Sequence, residues 1–461
     1  MIMLRTILIF FISWMMACSP KVYQWTVDSQ EEWEASLERS KNLEIENGHL
    51  QAIRDTAYFS SVFKESGKRQ RLQGVRVSQS PQWNNWQAVP KLTPPMAVDA
   101  PVFIPVSNGN YWLLSKYQGD HEHGYHAWHS RDMKSWTHHG PVTSHENRWV
   151  TTAEYLDGKF YIYFDKPNDE DPHLVIDEDL ADGKQGEVVG KVFDDPSHGS
   201  DIAMFRDEDG TFHLIYEDWS PVDPQKHSWD SPLAGHADSP DGIMGFVPHE
   251  YSPPIDERTK STGEMRAYKP HPNQLVHGPD PTPYQYEVHE GPQDAFGDYA
   301  MIKVGRQYYI FCDYDPHEEG KSMRVGRWRS EDIAQRFVWD GEVGAGFHPD
   351  PTVGFAEGQF YLLVQRNDQD FISEGPWVNG VEVRAGVDTD RDGKVDQWTP
   401  FTRIQETYTQ REGFARIVDT SPAVLDTHEL PAGFSFKLEF RCFSHQGTYP
   451  VIDGFEAVFQ N

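Results

Sequence analysis

A strand–turn–strand unit recurs five times along this chain and limits the folds that it can adopt. The five copies begin at Val98, Trp149, Gly199, Gly297 and His348, and each joins two β-rich apolar runs through a turn that contains glycine. The copies follow one another at about 50 residues, except that the third interval is about twice as long. A unit of this kind cannot bury its apolar face alone, so the repeats must pack around a common core.

Radial packing of these units predicts an all-β protein with a five-bladed β-propeller over residues 95–400. The flanks 22–94 and 401–461 also alternate as strands do, and we expect them to form one accessory β-sandwich. A helical fold is excluded because no stretch of the repeat region keeps apolar residues at helical spacing for four turns. The 32 prolines and 36 glycines also interrupt the chain too often for long helices.

The charge balance restricts the partners of the protein. There are 41 Lys and Arg against 72 Asp and Glu, which gives a formal net charge of −31. Such a field repels phosphate backbones and anionic lipid headgroups, so no nucleic acid partner is expected, while neutral sugars remain possible substrates. The three cysteines are too few for a disulfide framework.

The N-terminus has the architecture of an export signal. Residues 1–18 contain one arginine and an apolar run that ends at Ala17-Cys18, and this end resembles a bacterial lipobox in which Cys18 is acylated. We therefore expect a lipoprotein at the outer membrane or cell surface, attached to the membrane only through its lipid. An ordinary secretory signal, leaving a periplasmic or secreted protein, is the alternative.

Polar residues just before the first strand of each unit should converge on one mouth of a propeller. These residues are Asp99, Glu154, His198, Asp201, His289, Glu290, His348 and Asp350. Carboxylates that are forced together cannot all ionise at their ordinary pKa, so one keeps a proton and another stays charged. Glycoside hydrolysis requires this division between an acid and a base.

Three phrases resemble glycoside hydrolase family 43 and its five-bladed relatives in families 32, 62 and 117. They are Val98-Asp99-Ala100-Pro101, the segment 200–207 around Asp201, and His289-Glu290-Gly291-Pro292. The resemblance covers roughly 95–400. It implies an inverting hydrolase of plant or algal oligosaccharides that needs no cofactor for catalysis.

The resemblance also implies individual roles. Asp99 would be the general base that activates water, Glu290 the general acid, and Asp201 the group that orients and tunes Glu290. The carboxyls of Asp99 and Glu290 should then lie roughly 6.5–9.5 Å apart. His348 resembles a histidine that lies near a bound ion on the propeller axis. The residues expected to contact substrate are Glu154, His198, Arg206, Trp219 and His289.

Two other functions remain open. Propeller-type ulvan lyases of polysaccharide lyase families 24 and 25 use His and Tyr for β-elimination, with Arg neutralising the uronate. His123, His145, Tyr216 and Arg206 could serve that reaction here. The second alternative is a carbohydrate-binding lipoprotein that keeps the propeller without catalysis.

A calcium-type loop lies at the end of the repeat region. Asp388, Asp390 and Asp392 alternate along the chain and are followed by Gly393, a spacing that lets carboxylates wrap a hard cation. Because no glutamate closes the loop at the twelfth position, an EF-hand is not expected. A structural Ca²⁺ ion or a plain charged turn are the two interpretations.

Overall fold

The architecture is that of a computed structural model. It describes residues 22–46, 48–81, 83, 86–89, 100–117, 124–144, 149–166, 171–194, 201–218, 233–249, 268–270, 285–287, 295–315, 324–343, 350–365, 372–375, 380–444 and 449–460. Over these residues the chain is all-β, as the sequence predicts.

One short helix, α1, spans Gln30–Ser36 in the described part of the chain. Ser29 accepts the N–H of Glu32 through Oγ, and the Glu32 carboxylate accepts the N–H of Asp28, so the two residues cap the helix reciprocally. In the described residues no helix is long and apolar enough to cross a membrane.

The described residues contain 36 strands. The first twelve are β1 (Val22–Val27), β2 (Leu37–Lys41), β3 (Leu43–Glu46), β4 (His49–Ala52), β5 (Ala57–Ser61), β6 (Lys64–Ser80), β7 (Gln87–Ala88), β8 (Val102–Ser107), β9 (Asn110–Lys116), β10 (Tyr125–Ser130), β11 (Trp136–Pro141) and β12 (Val150–Leu156). The next twelve are β13 (Lys159–Asp165), β14 (Pro172–Asp177), β15 (Glu187–Lys191), β16 (Ala203–Arg206), β17 (Phe212–Asp218), β18 (Leu233–Ser239), β19 (Val247–Pro248), β20 (Tyr268–Pro270), β21 (Gln285–Glu287), β22 (Ala295–Val304), β23 (Gln307–Asp315) and β24 (Arg324–Ser330). The last twelve are β25 (Val338–Val343), β26 (Thr352–Ala356), β27 (Gln359–Leu363), β28 (Ile372–Glu374), β29 (Val381–Asp388), β30 (Gln397–Trp398), β31 (Thr402–Ile404), β32 (Thr407–Gln410), β33 (Ile417–Ser421), β34 (Ala423–Asp426), β35 (Gly433–Cys442) and β36 (Val451–Gln460).

The chain divides into two compact units. The first unit comprises Met1–Gln82, Trp377–Thr407 and Ser421–Asn461, and the second comprises Trp83–Pro376 and Tyr408–Thr420. These limits differ from the predicted ones at both ends of the predicted propeller. β29 lies in the first unit because it pairs along its whole length with β35, and residues 408–420 lie in the second because β33 pairs with β22.

The first unit is built on one twelve-stranded sheet system that both flanks share. The long strand β6 pairs with β35 near its start and with β36 over its second half. Trp33 of α1 is fully buried, and its ring meets Phe59 and Phe455 edge-on at 5.5 and 5.6 Å between centroids. The flanks therefore fold together, and their arrangement as a β-sandwich stays a prediction.

In the described residues, the second unit contains five sheets of four or more strands, and among their pairings β22 with β33 is parallel. These five sheets are β8–β11, β12–β15, β16–β19, β22–β25 extended by β33 and β32, and β26–β28 with β7. In each sheet the first two strands are joined at a glycine with positive φ, as the repeats predict: Gly109, Gly158, Gly210, Gly305 and Gly358. The sheets are arranged as in a β-propeller. This arrangement comprises four blades, whereas the repeats predict five. The fifth blade therefore stays a prediction.

Candidate active site

Four residues at or near the start of the first strands of their sheets share an unusual backbone conformation. Ala100, Asp201, Asp298 and Asp350 have φ values of 41°, 56°, 50° and 52°. Residues other than glycine rarely adopt this left-handed region, and such strain is concentrated at functional sites. The left-handed residue lies just before β8, β16 and β26, whereas in β22 it lies inside the strand, at the register shift between Gly297 and Ala300.

These four residues line one cavity. Pro101, Thr151, Ile202, Tyr299 and Pro351 complete the lining, and about 20 Å³ is left for water-sized occupants, enough for one water molecule. The described acidic residues of this lining are its three aspartates, Asp201, Asp298 and Asp350.

The aspartates belong to a larger group of five carboxylates. Asp201, Glu217 and Asp298 each place an oxygen within 4.8 Å of the other two, and Asp298, Asp313 and Asp350 do the same. Glu217 and Asp313 are only 6% and 8% exposed and lie behind the cavity lining. Asp298 is common to both groups and is the centre of the cluster.

Two hydrogen bonds tie this cluster to the backbone. The N–H of Asp298 donates to Oε1 of Glu217 at 3.0 Å, and the N–H of Asp350 donates to Oδ1 of Asp313 at 2.8 Å. The acceptor is in each case on the second strand of the preceding sheet, β17 or β23. A carboxylate of one sheet thus accepts a backbone N–H of a residue in the next sheet or just before it.

The crowding changes the acidity of the cluster. Burial, followed by the nearby charges of Asp201 and Asp350, raises the pKa of Asp298 well above its ordinary value. Burial and the charge of Asp350 likewise raise the pKa of Asp313, which hydrogen-bonds to the Asp298 carboxyl. The crowding of the two carboxyls therefore favours a proton on one of them. A carboxylic acid that retains its proton beside charged carboxylates can act as a general acid.

Of the predicted catalytic residues, Asp201 lies in the cavity. Asp99 and Glu290 lie outside the described residues, and so do Cys18, His198, Trp219, His289 and His348. His123 and His145, the histidines of the lyase alternative, are outside them as well.

Two predicted substrate contacts have other partners. Glu154 is 1% exposed and pairs with Arg416, whose Nε lies 2.9 Å from its Oε1. Arg206 places its guanidinium 4.1 Å from the centre of the Phe414 ring and donates to the carbonyl of Gly413. The sequence places Glu154 near the mouth because it belongs to a first strand, but it follows Thr151 of the cavity by three residues and turns into the interior. Neither residue is among the described lining residues of the cavity, and a substrate contact by either stays a prediction.

The described groups of the lyase alternative do not line the cavity. Tyr216 is buried and packs against Phe193 at 5.3 Å between ring centroids. In the histidine-rich stretch, Nδ1 of His126 lies 2.8 Å from Nε2 of His138, and these rings pack on Trp128 within the first sheet. These contacts are interior packing.

Sequence reasoning missed the roles of Asp298, Asp313 and Glu217. A signal for Asp298 was present, because Gly297-Asp298-Tyr299 opens the fourth repeat as Ser200-Asp201-Ile202 opens the third. Aligning the repeats on these two phrases would have found it. No local signal marks Glu217 or Asp313, because their acceptor role depends on the following sheet.

The calcium-type loop follows β29 and belongs to the first unit. Asp388, Asp390 and Asp392 place oxygens within 4.8 Å of one another, so one ion could bind there. Burial raises the pKa of Asp388, but hydrogen bonds from the N–H groups of Arg391 and Gly393 outweigh it and hold that pKa below its ordinary value. The carboxylate is therefore charged at neutral pH, as a calcium ligand must be.

No protein-family model matches the chain, and no curated protein matches it either. Many solved structures are similar to it. An α-L-arabinofuranosidase of glycoside hydrolase family 43 from Clostridium thermocellum is 13% identical, with 66% of this chain and 94% of that chain covered and a TM-score of 0.40. An endo-arabinase from Bacteroides thetaiotaomicron is 8% identical, with 63% and 97% covered and a TM-score of 0.43. An α-L-arabinanase from Cellvibrio cellulosa is 13% identical, with 62% and 91% covered and a TM-score of 0.39.

Proposed function

We propose that this protein is a glycoside hydrolase that cleaves plant or algal oligosaccharides with two carboxyl groups of a five-bladed propeller. The observation that carries the proposal is the carboxyl of Asp298, which lies in a cavity shared with Asp201 and Asp350 and whose pKa is raised well above its ordinary value by burial and by those neighbouring charges. Hydrolysis of a glycosidic bond needs a proton for the leaving oxygen.

The acid has two candidates. The motif around Glu290 favours that residue, whereas the cavity favours Asp298, because Asp298 lines it and burial and the neighbouring charges of Asp201 and Asp350 raise its pKa. In either case Asp201 tunes the acid. Its charge opposes the loss of the Asp298 proton until the leaving oxygen takes it.

The general base must lie far enough from the acid to leave room for the attacking water. An inverting enzyme needs roughly 6.5–9.5 Å between its carboxyls to hold the attacking water. The nearest oxygens of Asp201 and Asp298 lie within 4.8 Å, and those of Asp298 and Asp350 are equally near, so neither pair leaves that room. Asp99 directly precedes Ala100 of the cavity lining in the sequence and is the proposed base.

The charges of the cavity favour a neutral sugar. The acidic side chains among its described lining residues are three aspartates, and no basic side chain is among those residues, so a uronate or sulfate group would be repelled. β-Elimination at a uronate needs a cation beside the sugar carboxylate, and the guanidinium of Arg206 packs on Phe414 instead. A binding protein without catalysis would have no use for a carboxyl with a raised pKa.

We also propose export and lipid attachment at Cys18, supported by the apolar run over residues 7–17 that precedes it. A structural Ca²⁺ ion at Asp388, Asp390 and Asp392 is a separate proposal. It is supported by the spacing of the three carboxylates.

The decisive experiment supplies neutral and acidic oligosaccharides and records both new reducing ends and the ultraviolet absorbance of unsaturated uronates. The wild type should release reducing ends from a neutral substrate without that absorbance. Asp298→Asn and Glu290→Gln identify the acid, since the variant that lacks it loses activity at least about a hundredfold. Asp177→Asn, a buried carboxyl away from the cavity lining, is the matched control. New absorbance would establish the lyase, and binding without cleavage of any substrate would establish a binding protein.

A further inference from the structure

The first strand of the fourth sheet is hydrogen-bonded, at its register shift, to a carboxylate of the third sheet. Glu217 lies near the end of β17 and is 81 residues from Asp298 in sequence, yet its Oε1 accepts the Asp298 N–H at 3.0 Å. The approach depends on Gly297, because a Cβ atom there would lie 2.5 Å from the same Oε1 atom. The chain thus keeps a glycine where Glu217 must reach the backbone.

The same relationship occurs one sheet later. Asp313 on β23 accepts the N–H of Asp350, which opens the fifth sheet, at 2.8 Å. Neither Glu217 nor Asp313 lines the cavity, whereas both donor residues do. The two acceptors are therefore placed to act through the residues that they hold.

The backbone conformation of Asp298 and Asp350 needs the support of these hydrogen bonds. Asp298 and Asp350 adopt left-handed φ values of 50° and 52°, which an aspartate adopts at a cost in free energy. In this conformation both side chains reach the cavity. A relaxed, extended backbone at either position would turn the carboxyl elsewhere.

We propose that Glu217 and Asp313 are positioning residues, whose buried carboxylates hold the backbone N–H groups of Asp298 and Asp350 and so aim those two side chains into the cavity. The kinetic part of this inference rests on the proposed hydrolase function. The structural part does not, because it concerns the backbone of the free protein.

The consequence for catalysis is a loss of turnover without a loss of binding. A carboxyl that is turned away from the reacting bond lowers kcat, while the rest of the site still binds substrate. Glutamine at position 217 can still accept the Asp298 N–H through its amide oxygen, whereas leucine cannot. Comparing the two separates the hydrogen bond from mere filling of space.

The test uses Glu217→Gln and Glu217→Leu with two measurements. The first is amide hydrogen exchange of the peptide that contains Asp298 in the free protein, and the second is kcat and KM on the active substrate. We expect Glu217→Leu to speed exchange at Asp298 and to lower kcat at least about tenfold with KM within about twofold. Glu217→Gln should restore both towards wild type.

Asp177→Leu is the matched control. Asp177 is buried in the same unit and accepts the N–H of Asp179 at 2.8 Å, but it does not line the cavity. Its replacement should speed exchange at Asp179 and leave kcat unchanged. If Glu217→Leu is poorly folded, Asp313→Asn and Asp313→Leu repeat the test at Asp350.

The outcomes are distinct. Unchanged exchange at Asp298 in a folded Glu217→Leu variant overturns the inference, and so does a kcat loss that Glu217→Gln shares in full. If the wild type cleaves no glycoside, the proposed function fails, and exchange alone decides whether Glu217 holds Asp298.

Discussion

The Asp298 carboxyl is hydrogen-bonded to the carboxyl of Asp313, and the two come from adjacent strands, β22 and β23, of one sheet. The neighbouring residue Gly297 is the register partner of Asp313, so the strand pairing itself brings the two acids together. Since two carboxylates repel, this proximity favours a proton on one of the two acids. The raised pKa values of Asp298 and Asp313 have the same direction.

Asp298→Asn should separate activity from stability. The pKa of Asp298 is raised in the folded state, so its ionisation in the unfolded chain above about pH 4 favours unfolding. An asparagine can still donate to Asp313 and removes this effect. We expect a gain of about 1–3 kcal/mol in the free energy of unfolding at pH 7 and none at pH 3.5, with activity lost. Urea unfolding at the two pH values measures the free energy of unfolding of both proteins. An equal gain at both pH values would contradict the raised pKa of Asp298.

The buried pair of Glu154 and Arg416 should matter for stability. Burial raises the pKa of Glu154 to about 7, although Arg416 and Arg206 lower it, and Arg416 also donates to the carbonyl of Ala153 at 3.0 Å. Glu154→Ala leaves a buried guanidinium without its carboxylate and should cost about 3–5 kcal/mol in unfolding free energy. Glu154→Gln keeps a hydrogen-bond acceptor and should cost less. Equal losses in the two variants would show that only side-chain volume counts.

Acid should destabilise the third sheet through His236. This residue is 1% exposed, its Nε2 lies 3.0 Å from Nδ1 of His213, and its ring stacks on His249 at 4.2 Å. Burial, then the charges of His213 and His249, lowers its pKa to about 3. The unfolded chain binds a proton below about pH 6.5 and the folded chain does not, so stability falls as the pH drops from there towards 3.

The matched measurement compares wild type with His236→Gln. Between pH 7 and pH 4 the wild type should lose up to about 3 kcal/mol more unfolding free energy than the variant, because glutamine does not titrate. Asp238, which pairs with His249 at 2.8 Å, stays unchanged in both proteins. Parallel pH profiles would show that His236 is not the source of acid sensitivity.

Calcium should stabilise the protein through the loop after β29. If Asp388, Asp390 and Asp392 bind the ion, Ca²⁺ at 100 times its Kd adds about 2.7 kcal/mol and raises Tm by a few degrees relative to a chelator. Asp390→Asn should abolish the shift. Asp426→Asn, which changes an exposed aspartate of the same unit, should keep it. A wild-type Tm that Ca²⁺ does not move would make the loop a plain charged turn.

Several features could be predicted from local sequence alone. Strand alternation and the turn glycines at positions such as Gly158 and Gly305 predicted the hairpins that open the sheets, because a turn with positive φ is a property of a few adjacent residues. The placement of Asp201 before its strand was enough to make it a candidate. The same reasoning placed Glu154 near the mouth, where its direction into the interior could not be read from the alternation.

What the sequence by itself determined is the all-β repeat and the acidic residues that open its units. Only the tertiary structure decided that Asp298 is the centre of the carboxyl cluster, that Glu217 and Asp313 support it from preceding strands, and that residues 408–420 return to the second unit to bring Arg416 to Glu154. The physical reason is separation along the chain. A turn or a strand is fixed by neighbouring residues, whereas pKa values, buried ion pairs and the aim of a side chain depend on groups that only folding brings within a few ångströms.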